Sequence, residues 1–373
     1  MEGGNFTVTP WEVTGDIDYD LLIEKFGTKR IDAELLSRLA SYGPLHPMLR
    51  RGIIYSQRDM EWLLNLYDKG QQFVLYTGRG PSGHTHLGHL MPWIFTKYLQ
   101  DTFHAPLYFQ MTDDEKFLFK DDLSQEDTLR NTYDNALDVI ALGFDPKITK
   151  IIVDTKCIKT LYPLALKVAK KVTFSTTKAV FGFDNSTNIG SIFFTSIQSA
   201  PAFLPSEIEK HNVPVLIPCG IDQDPHFRVT RDVAESLGYY KPALIHSKMF
   251  PGLSGSDKMS SSVPETTIFT TDSPKQLKKK IGNAFTGGAV SAEEQRKTGG
   301  RPEMCAVFKY QFYLFESDDA KVDDLADRCR KGEILCGECK KLLSDRLILF
   351  LEEHQRKREE AKSKLDDFMM KED

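Results

Sequence analysis

Two histidines three residues apart, in His86-Leu-Gly-His89, open a helical pattern that carries Leu87, Leu90, Met91, Ile94, Phe95 and Tyr98 on one face. Side chains at i and i+3 on a first helical turn point the same way. Together with free backbone N–H groups and the positive end of the helix dipole, they offer a place for phosphate oxygens. Gly88 leaves the backbone bare between them, so a flat base has room to lie there. The rival reading is a surface pair or, with His84, a chance metal cluster. A second stretch, Gly255-Ser-Asp-Lys-Met-Ser-Ser-Ser262, combines one lysine with several hydroxyls in a loop suited to a transient polyphosphate. Plain linkers have similar composition. The third, Gln110-Met-Thr-Asp-Asp-Glu115, places three carboxylates after an apolar run. They suit a metal or an ammonium group, or simply the start of a helix. No Gly-Lys-Ser follows the turn Gly78-Arg-Gly-Pro-Ser-Gly83, so it is not a P-loop.

Such stretches act together only if a scaffold converges them. Residues 73–77, 106–111, 151–153, 215–217 and 243–245 read as strands, with helical patterns between. That alternation predicts an α/β fold, a doubly wound parallel sheet of Rossmann-like type, whose ligands lie at the carboxyl ends of its strands. Residues 78–83, 112–115 and 220–224 fall there. Upstream, 7–13 is strand-like, and 18–26, 31–39 and 57–67 read as helices on the outside. After about Thr266 the strand signals stop and the chain turns charged and helical. Two parts are expected: 1–265, with a core from about 73, and a helical 266–373 whose last helix is free to pack back on the first part.

Composition closes off other classes. With 40% hydrophobic and 27% charged residues, the chain is globular and not disordered. A net charge of −5 argues against a protein built to wrap nucleic acid, while leaving room for local basic patches. No stretch reaches the ~18 apolar residues of a membrane span. The first residues have neither a signal-peptide core nor transit-peptide arginines, so a cytoplasmic protein is expected. Six cysteines are too few for a disulfide framework in 373 residues. Only Cys336-Gly-Glu-Cys339 has metal-like spacing; with just Cys329 and distant His354 as further ligands, these read as ordinary helix residues and no metal site is assigned.

The histidine and lysine motifs together resemble the paired signatures of class I aminoacyl-tRNA synthetases. Neighbouring residues narrow the resemblance to the tryptophanyl-tRNA synthetases of the eukaryotic and archaeal type, over nearly the whole chain. They are Tyr76-Thr-Gly-Arg-Gly-Pro-Ser82, Gln110-Met-Thr-Asp-Asp-Glu-Lys116, Ile197-Gln-Ser-Ala-Pro201, Gly220-Ile-Asp-Gln-Asp-Pro225 with Phe227-Arg-Val-Thr-Arg-Asp-Val-Ala234, and Val8-Thr-Pro-Trp-Glu-Val-Thr-Gly15. The resemblance implies activation of L-tryptophan by ATP with Mg2+, then transfer to tRNA(Trp), by a cytoplasmic homodimer. It implies that Tyr76 and Gln110 meet the indole N–H, and that Glu115 holds the α-ammonium with Gln198 and Gln223 completing the amino-acid end. Arg79, Gly80, Pro81 and Gly88 would lie near ATP, with Asp222 at its ribose. His86, His89, Lys258, Met259, Ser260, Ser261 and Ser262 would surround the phosphates. The helical part would bind the anticodon, with Lys275-Gln-Leu-Lys-Lys-Lys280, Lys340-Lys341 and Arg356-Lys-Arg358 as candidate phosphate contacts. Two departures stand out: residues 81–86 form a loop one residue shorter than usual with an added His84, and Ser261 replaces the second lysine of many class I enzymes. The rival readings are a tyrosyl-tRNA synthetase, a small-molecule adenylyltransferase and a synthetase-derived binding protein without catalysis.

Overall fold

A computed structural model describes residues 7–8, 13–15, 17–256 and 258–372. Strands β1 (Thr7–Val8) and β2 (Val13–Thr14) pair antiparallel within the strand-like stretch at the start. Strands β3 (Lys29–Arg30), β4 (Ile54–Arg58), β5 (Val74–Arg79), β6 (Leu107–Met111), β7 (Thr149–Val153), β8 (Val215–Gly220) and β9 (Ala243–Ser247) form one sheet. Its order is β3-β4-β9-β8-β5-β6-β7. From β9 to β7 all neighbours are parallel. The chain winds outward from β5 through β6 to β7, then returns to lay β8 and β9 on the other side of β5. Helices therefore diverge from the carboxyl ends of β5 and β8, and the crevice between them is where such a sheet takes ligands.

The edge β3-β4 runs antiparallel to β9 and corrects one sequence expectation. Residues 57–67 were expected to be helical from Gln57, but Gln57 belongs to β4 and its Oε1 accepts from Met60 N–H at 3.0 Å, where the helix Met60–Asp68 begins. Ile54, Tyr55, Ser56 and Gln57 are all buried, so β4 lacks the alternation that marks a half-exposed strand. The β-branched and aromatic run Ile53-Ile-Tyr55 was the readable signal.

Arg58, at the end of β4, fixes this edge. It makes two bonds to Asp224, from Nε at 2.8 Å and Nη2 at 2.9 Å, and its Nη1 donates to Gly27 O at 3.0 Å. His246 Nε2 lies 3.1 Å from the same fully buried carboxylate. Burial by itself raises the Asp224 carboxyl, but His246 and Arg58 outweigh it and hold it at about 2. Arg58→Ala should therefore cost about 3 kcal/mol by stripping a buried carboxylate of its two-bond partner and leaving it to His246 and Arg228. The pair's contribution is complete above the unfolded carboxylate value of ~3.9 and disappears as pH falls through the folded one. Urea midpoints of wild type and variant should differ widely at neutral pH and converge under acid; equal midpoints at pH 7 would refute this.

Beyond β9 the described residues are helices, turns and loops, joined to the sheet domain by isolated bridges, His86 to Phe269 and Ile151 to Met369. The long helix Cys336–Ala361 lies against the helix Gln125–Ala141. His354 Nε2 is 2.8 Å from Asp138 Oδ1, and Arg358 binds Asp138 and, at 2.7 Å, Asp134. Met370 N–H donates to Ile151 O at 2.8 Å, fastening the chain end beside β7. One apolar core runs from Ile31 through Phe109 and Ile151 to Leu351 and Phe368. Several expected phosphate contacts are already committed within the chain. Lys280 pairs with Asp272, Lys340 donates to Gly282 O, Arg356 pairs with Glu353 and Glu360, and Arg358 is buried. Lys275, Lys278 and Lys279 stay exposed.

Candidate active site

At the carboxyl ends of β5 and β8 lies a cavity of about 380 Å³. Arg79, Gly80, His86, Gly88, His89, Glu115, Gln198, Asp222, Gln223, Lys258, Met259, Ser260, Ser261 and Ser262 all line it. Residues from Arg79 to Ser262 thus meet because strand ends and helix starts put them there. Of the expected site residues only Tyr76, Gln110 and Pro81 are absent from the wall. Pro81 is buried behind the loop, whereas Tyr76 and Gln110 form the layer directly beneath Gln198.

That layer is a closed hydrogen-bond network. Tyr76 Oη lies 2.6 Å from Gln110 Oε1 and 2.8 Å from Gln198 O, with its one proton between two acceptors. Gln198 Nε2 donates to Tyr76 Oη at 3.0 Å and to Gln110 Oε1 at 3.3 Å. Gln110 Nε2 donates to both Asp154 carboxylate oxygens, each at 2.9 Å. Asp154 therefore decides which way the Gln110 amide faces and leaves its oxygen toward Tyr76 and Gln198. Sequence reading missed Asp154, which follows β7 with nothing in its spacing to mark it. Burial, then the neighbouring Asp114 carboxyl, raise Asp154 well above the usual range, while Asp114 itself is pushed up to about 7, chiefly by burial. Asp154→Ala frees the amide to flip, so KM for an indole substrate should rise about tenfold, the worth of one misdirected buried hydrogen bond. Asp154→Asn, which keeps an acceptor, should recover most of it; equal kinetics for Ala and wild type would dismiss the role.

Glu115 is buried in the first turn of the helix Asp113–Phe119. Its Oε2 accepts from Thr112 Oγ1 at 2.6 Å and its Oε1 from Lys116 Nζ. Burial raises this carboxyl, but the Lys116 charge and hydrogen bonds reverse the shift, so it is ionised. Gly80 permits the approach: a Cβ there would lie 2.1 Å from Lys116 Cε and 2.6 Å from Glu115 Oε2.

Across the cavity the two signature motifs touch. Burial, with the Arg79 and Lys258 charges, pushes both His86 and His89 well below the usual imidazole value. They are neutral donors and acceptors, not the cations a phosphate site suggests. His89 Nδ1 accepts the His86 backbone N–H at 3.2 Å, which leaves Nε2 as the His89 donor. The imidazoles stack with centroids 3.5 Å apart. A Cβ on Gly88 would sit 3.0 Å from His86 Cε1 and 3.5 Å from Met259 Cβ, so the bare backbone sets the spacing between motifs. Lys258 Nζ donates to Asp222 Oδ2 at 3.0 Å. Arg79, lowered to about 10 by burial, donates from Nε to Asn135 Oδ1 at 3.1 Å, and Asn135 Nδ2 donates to Gly83 O at 3.0 Å. Asn135, mid-helix, was also unread in the sequence; it braces the short loop 81–86. Arg79 Nη2 and His86 Nδ1 are buried without a hydrogen-bond partner, which buried polar atoms rarely tolerate unless a ligand supplies one. His84, exposed and 3.6 Å from Asp134, joins no metal-binding group among the described residues.

Residues 68–352 match the family of class I tRNA synthetases for tryptophan and tyrosine (W and Y). A tryptophan–tRNA ligase of Pyrobaculum arsenaticum is 50% identical over 369 residues, covering 99% of this chain and 98% of that one. The chain belongs to the tryptophanyl-tRNA synthetases. The tryptophan–tRNA ligase of Saccharolobus solfataricus is 51% identical over 360 residues, 96% of this chain and 93% of its own. Among solved structures, the tryptophanyl-tRNA synthetase of Giardia lamblia superposes with a TM-score of 0.89 at 36% identity, covering 95% of this chain and 96% of that one. That of Plasmodium falciparum gives 0.86 at 40% identity over 92% and 94%. In this member of the family the buried Tyr76–Gln110 pair lies beneath the cavity wall at Gln198.

Proposed function

We infer that the chain activates L-tryptophan with ATP and transfers it to tRNA(Trp). The observation that carries this reading is one cavity with Gln198, backed by the oriented Tyr76–Gln110 pair, at one end and the partnerless Arg79 Nη2 and His86 Nδ1 at the other. In the reading, the indole N–H donates to the Gln110 oxygen beside Tyr76, and the α-ammonium takes the Glu115 carboxylate now shared with Lys116. Gln198 and Gln223 flank the amino acid. The substrate carboxylate, with a pKa near 3.5, is ionised at neutral pH, so attack needs no general base. Its oxygen bonds to the α-phosphorus as the bond to the bridging oxygen breaks and pyrophosphate departs. Lys258, released from Asp222, the neutral His86 and His89, Arg79 and the hydroxyls of Ser260, Ser261 and Ser262 stabilise that charge by position. Asp222, so freed, takes the ribose.

Magnesium would enter as part of the MgATP substrate. The described cavity-lining carboxylates, Glu115 and Asp222, are each held by a lysine, so among the described residues this wall presents no oxygen cage. The division near residue 265, with the helical remainder at the anticodon, belongs to the same reading. A cytoplasmic homodimer belongs to it too. No described helix is long and apolar enough to cross a membrane. Ile158, Tyr162 and Leu166 form an exposed i, i+4, i+8 stripe suited to a second copy.

ATP–pyrophosphate exchange tests the reading, with L-tryptophan, L-tyrosine or no amino acid. Exchange with tryptophan, followed by charging of tRNA(Trp), is expected. Exchange with tyrosine instead would overturn the indole layer, and exchange with neither would favour a non-catalytic binding role.

A further inference from the structure

Strand β7 is the outer strand of the sheet, and an outer strand leaves a row of backbone groups without a neighbour. Here that edge is covered by the segment Met369–Glu372. Phe368, 2% exposed, roots it in the core, and Met369 then bridges Ile151 in parallel register. Met370 N–H donates to Ile151 O at 2.8 Å, and Cys157 Sγ lies 3.7 Å from Met370 O. Two residues on, the Glu372 carboxylate reaches the start of the helix Ile158–Ala169. Its Oε1 accepts from Thr160 N–H at 2.6 Å and its Oε2 from Lys159 N–H at 3.2 Å. Cys157, at the capping position of that helix, makes no side-chain cap, so Glu372 supplies the acceptor that a capping residue ordinarily gives. Burial raises the Glu372 carboxyl, but the hydrogen bonds from Thr160 and Lys159 outweigh it and hold it below the ordinary glutamate value.

Between these two fastenings stands the turn 154–157. Asp154 there orients the Gln110 amide. Thr155 donates from its N–H to Asp113 Oδ1 at 3.1 Å and from its hydroxyl to Asp113 Oδ2, at the first residue of the helix that carries Glu115. One turn thus backs both the indole layer and the carboxylate read as the ammonium anchor. It is held from outside at Ile151 on one side and at Lys159 and Thr160 on the other. We propose that Met369–Glu372 is a positioning strap for the amino-acid end of the site, with Glu372 as its positioning residue. The proposal rests on the reading that this end takes tryptophan. Glu372 acts through Asp154 and Asp113, at the back of the cavity wall. Without its carboxylate two N–H groups at the helix start lose their acceptor and the turn gains freedom. Gln110 and Glu115 then have to be ordered when the amino acid binds, and that ordering is taken from affinity. Lys258 stands on the loop after β9, and His86 and His89 at the helix after β5, so the phosphate end is spared.

The full chain is titrated with L-tryptophan, and tryptophan-dependent pyrophosphate exchange is measured alongside. Glu372→Ala should raise Kd and KM for tryptophan about three- to tenfold, the range that a lost helix cap gives. Met370→Pro, which deletes the N–H bonded to Ile151, should do the same. For both, kcat and KM for ATP should stay within about twofold of wild type, because the phosphate end is untouched. Glu372→Gln, which keeps an oxygen acceptor, should recover most of the loss, and Lys371→Ala, exposed between the two fastenings, should change nothing. Amide hydrogen exchange reads the clamp without any substrate: in Glu372→Ala the amides of 154–160 should lose protection about tenfold while those of β5 keep theirs. If Met370→Pro does not fold, Glu372→Ala answers alone. Wild type that takes no tryptophan would count against the proposed function, and amide exchange would still decide the strap. Unchanged protection at 154–160, unchanged tryptophan affinity in a wild type that binds it, or an equal rise in KM for ATP would each overturn the strap.

Discussion

Lys258→Ala should slow tryptophan-dependent pyrophosphate exchange by about 10²- to 10³-fold, the effect of removing one donor from developing charge in a water-poor site, ~3–4 kcal/mol. The loop carries Ser261 where many class I synthetases have a second lysine, so no neighbouring cation on that loop substitutes. His86 and His89 do not replace it either, because burial keeps them neutral. The loss should fall mainly on kcat, since the charge on departing pyrophosphate grows in the transition state. Lys258 also pairs with Asp222, so a purely structural effect needs a control. Asp222→Asn removes that pair while keeping the lysine, and should be milder and fall on KM for ATP. A decrease below threefold for Lys258→Ala would sink the assignment.

Glu115→Gln should raise KM for tryptophan by roughly 100-fold with a smaller change in kcat. A buried charge-assisted contact to an ammonium is worth about 2–5 kcal/mol on truncation, and an amide recovers only part of it. The lysine already on Glu115 sharpens the test: once the carboxylate is neutral, Lys116 has no anion to hold and the ammonium has none to compete for. An analogue without the amine, indole-3-propionate, should inhibit variant and wild type alike. If its inhibition weakens in parallel with tryptophan binding, Glu115 is shaping the indole pocket instead.

The parallel core was legible because its strands are short apolar runs followed by helical periodicity, and the wall residues because they sit at those strand ends. What escaped is informative. β4 is buried along its length and has no period to read. Asp154 and Asn135 act through other side chains, so their identity follows from three-dimensional neighbours and not from spacing. The histidine pair was found, but its charge was not: neutrality comes from burial that only the folded cavity reveals. Cys305, Cys329, Cys336 and Cys339 show the same limit, since they come to line one small cavity only in the folded chain.

The helix Gln125–Ala141 has one further consequence. Within a single turn it offers Asn135 to the loop at Arg79 and Asp138 to His354 and Arg358 of the long C-terminal helix. The two halves of the molecule are therefore not interchangeable cassettes. A chimaera joined near residue 265 transplants the partners of Asp138 along with the surface proposed for the anticodon. A donor lacking equivalents of His354 and Arg358 would leave a buried anion one turn from Asn135, which braces the loop 81–86, and the graft would succeed only with Asp138 made neutral as well.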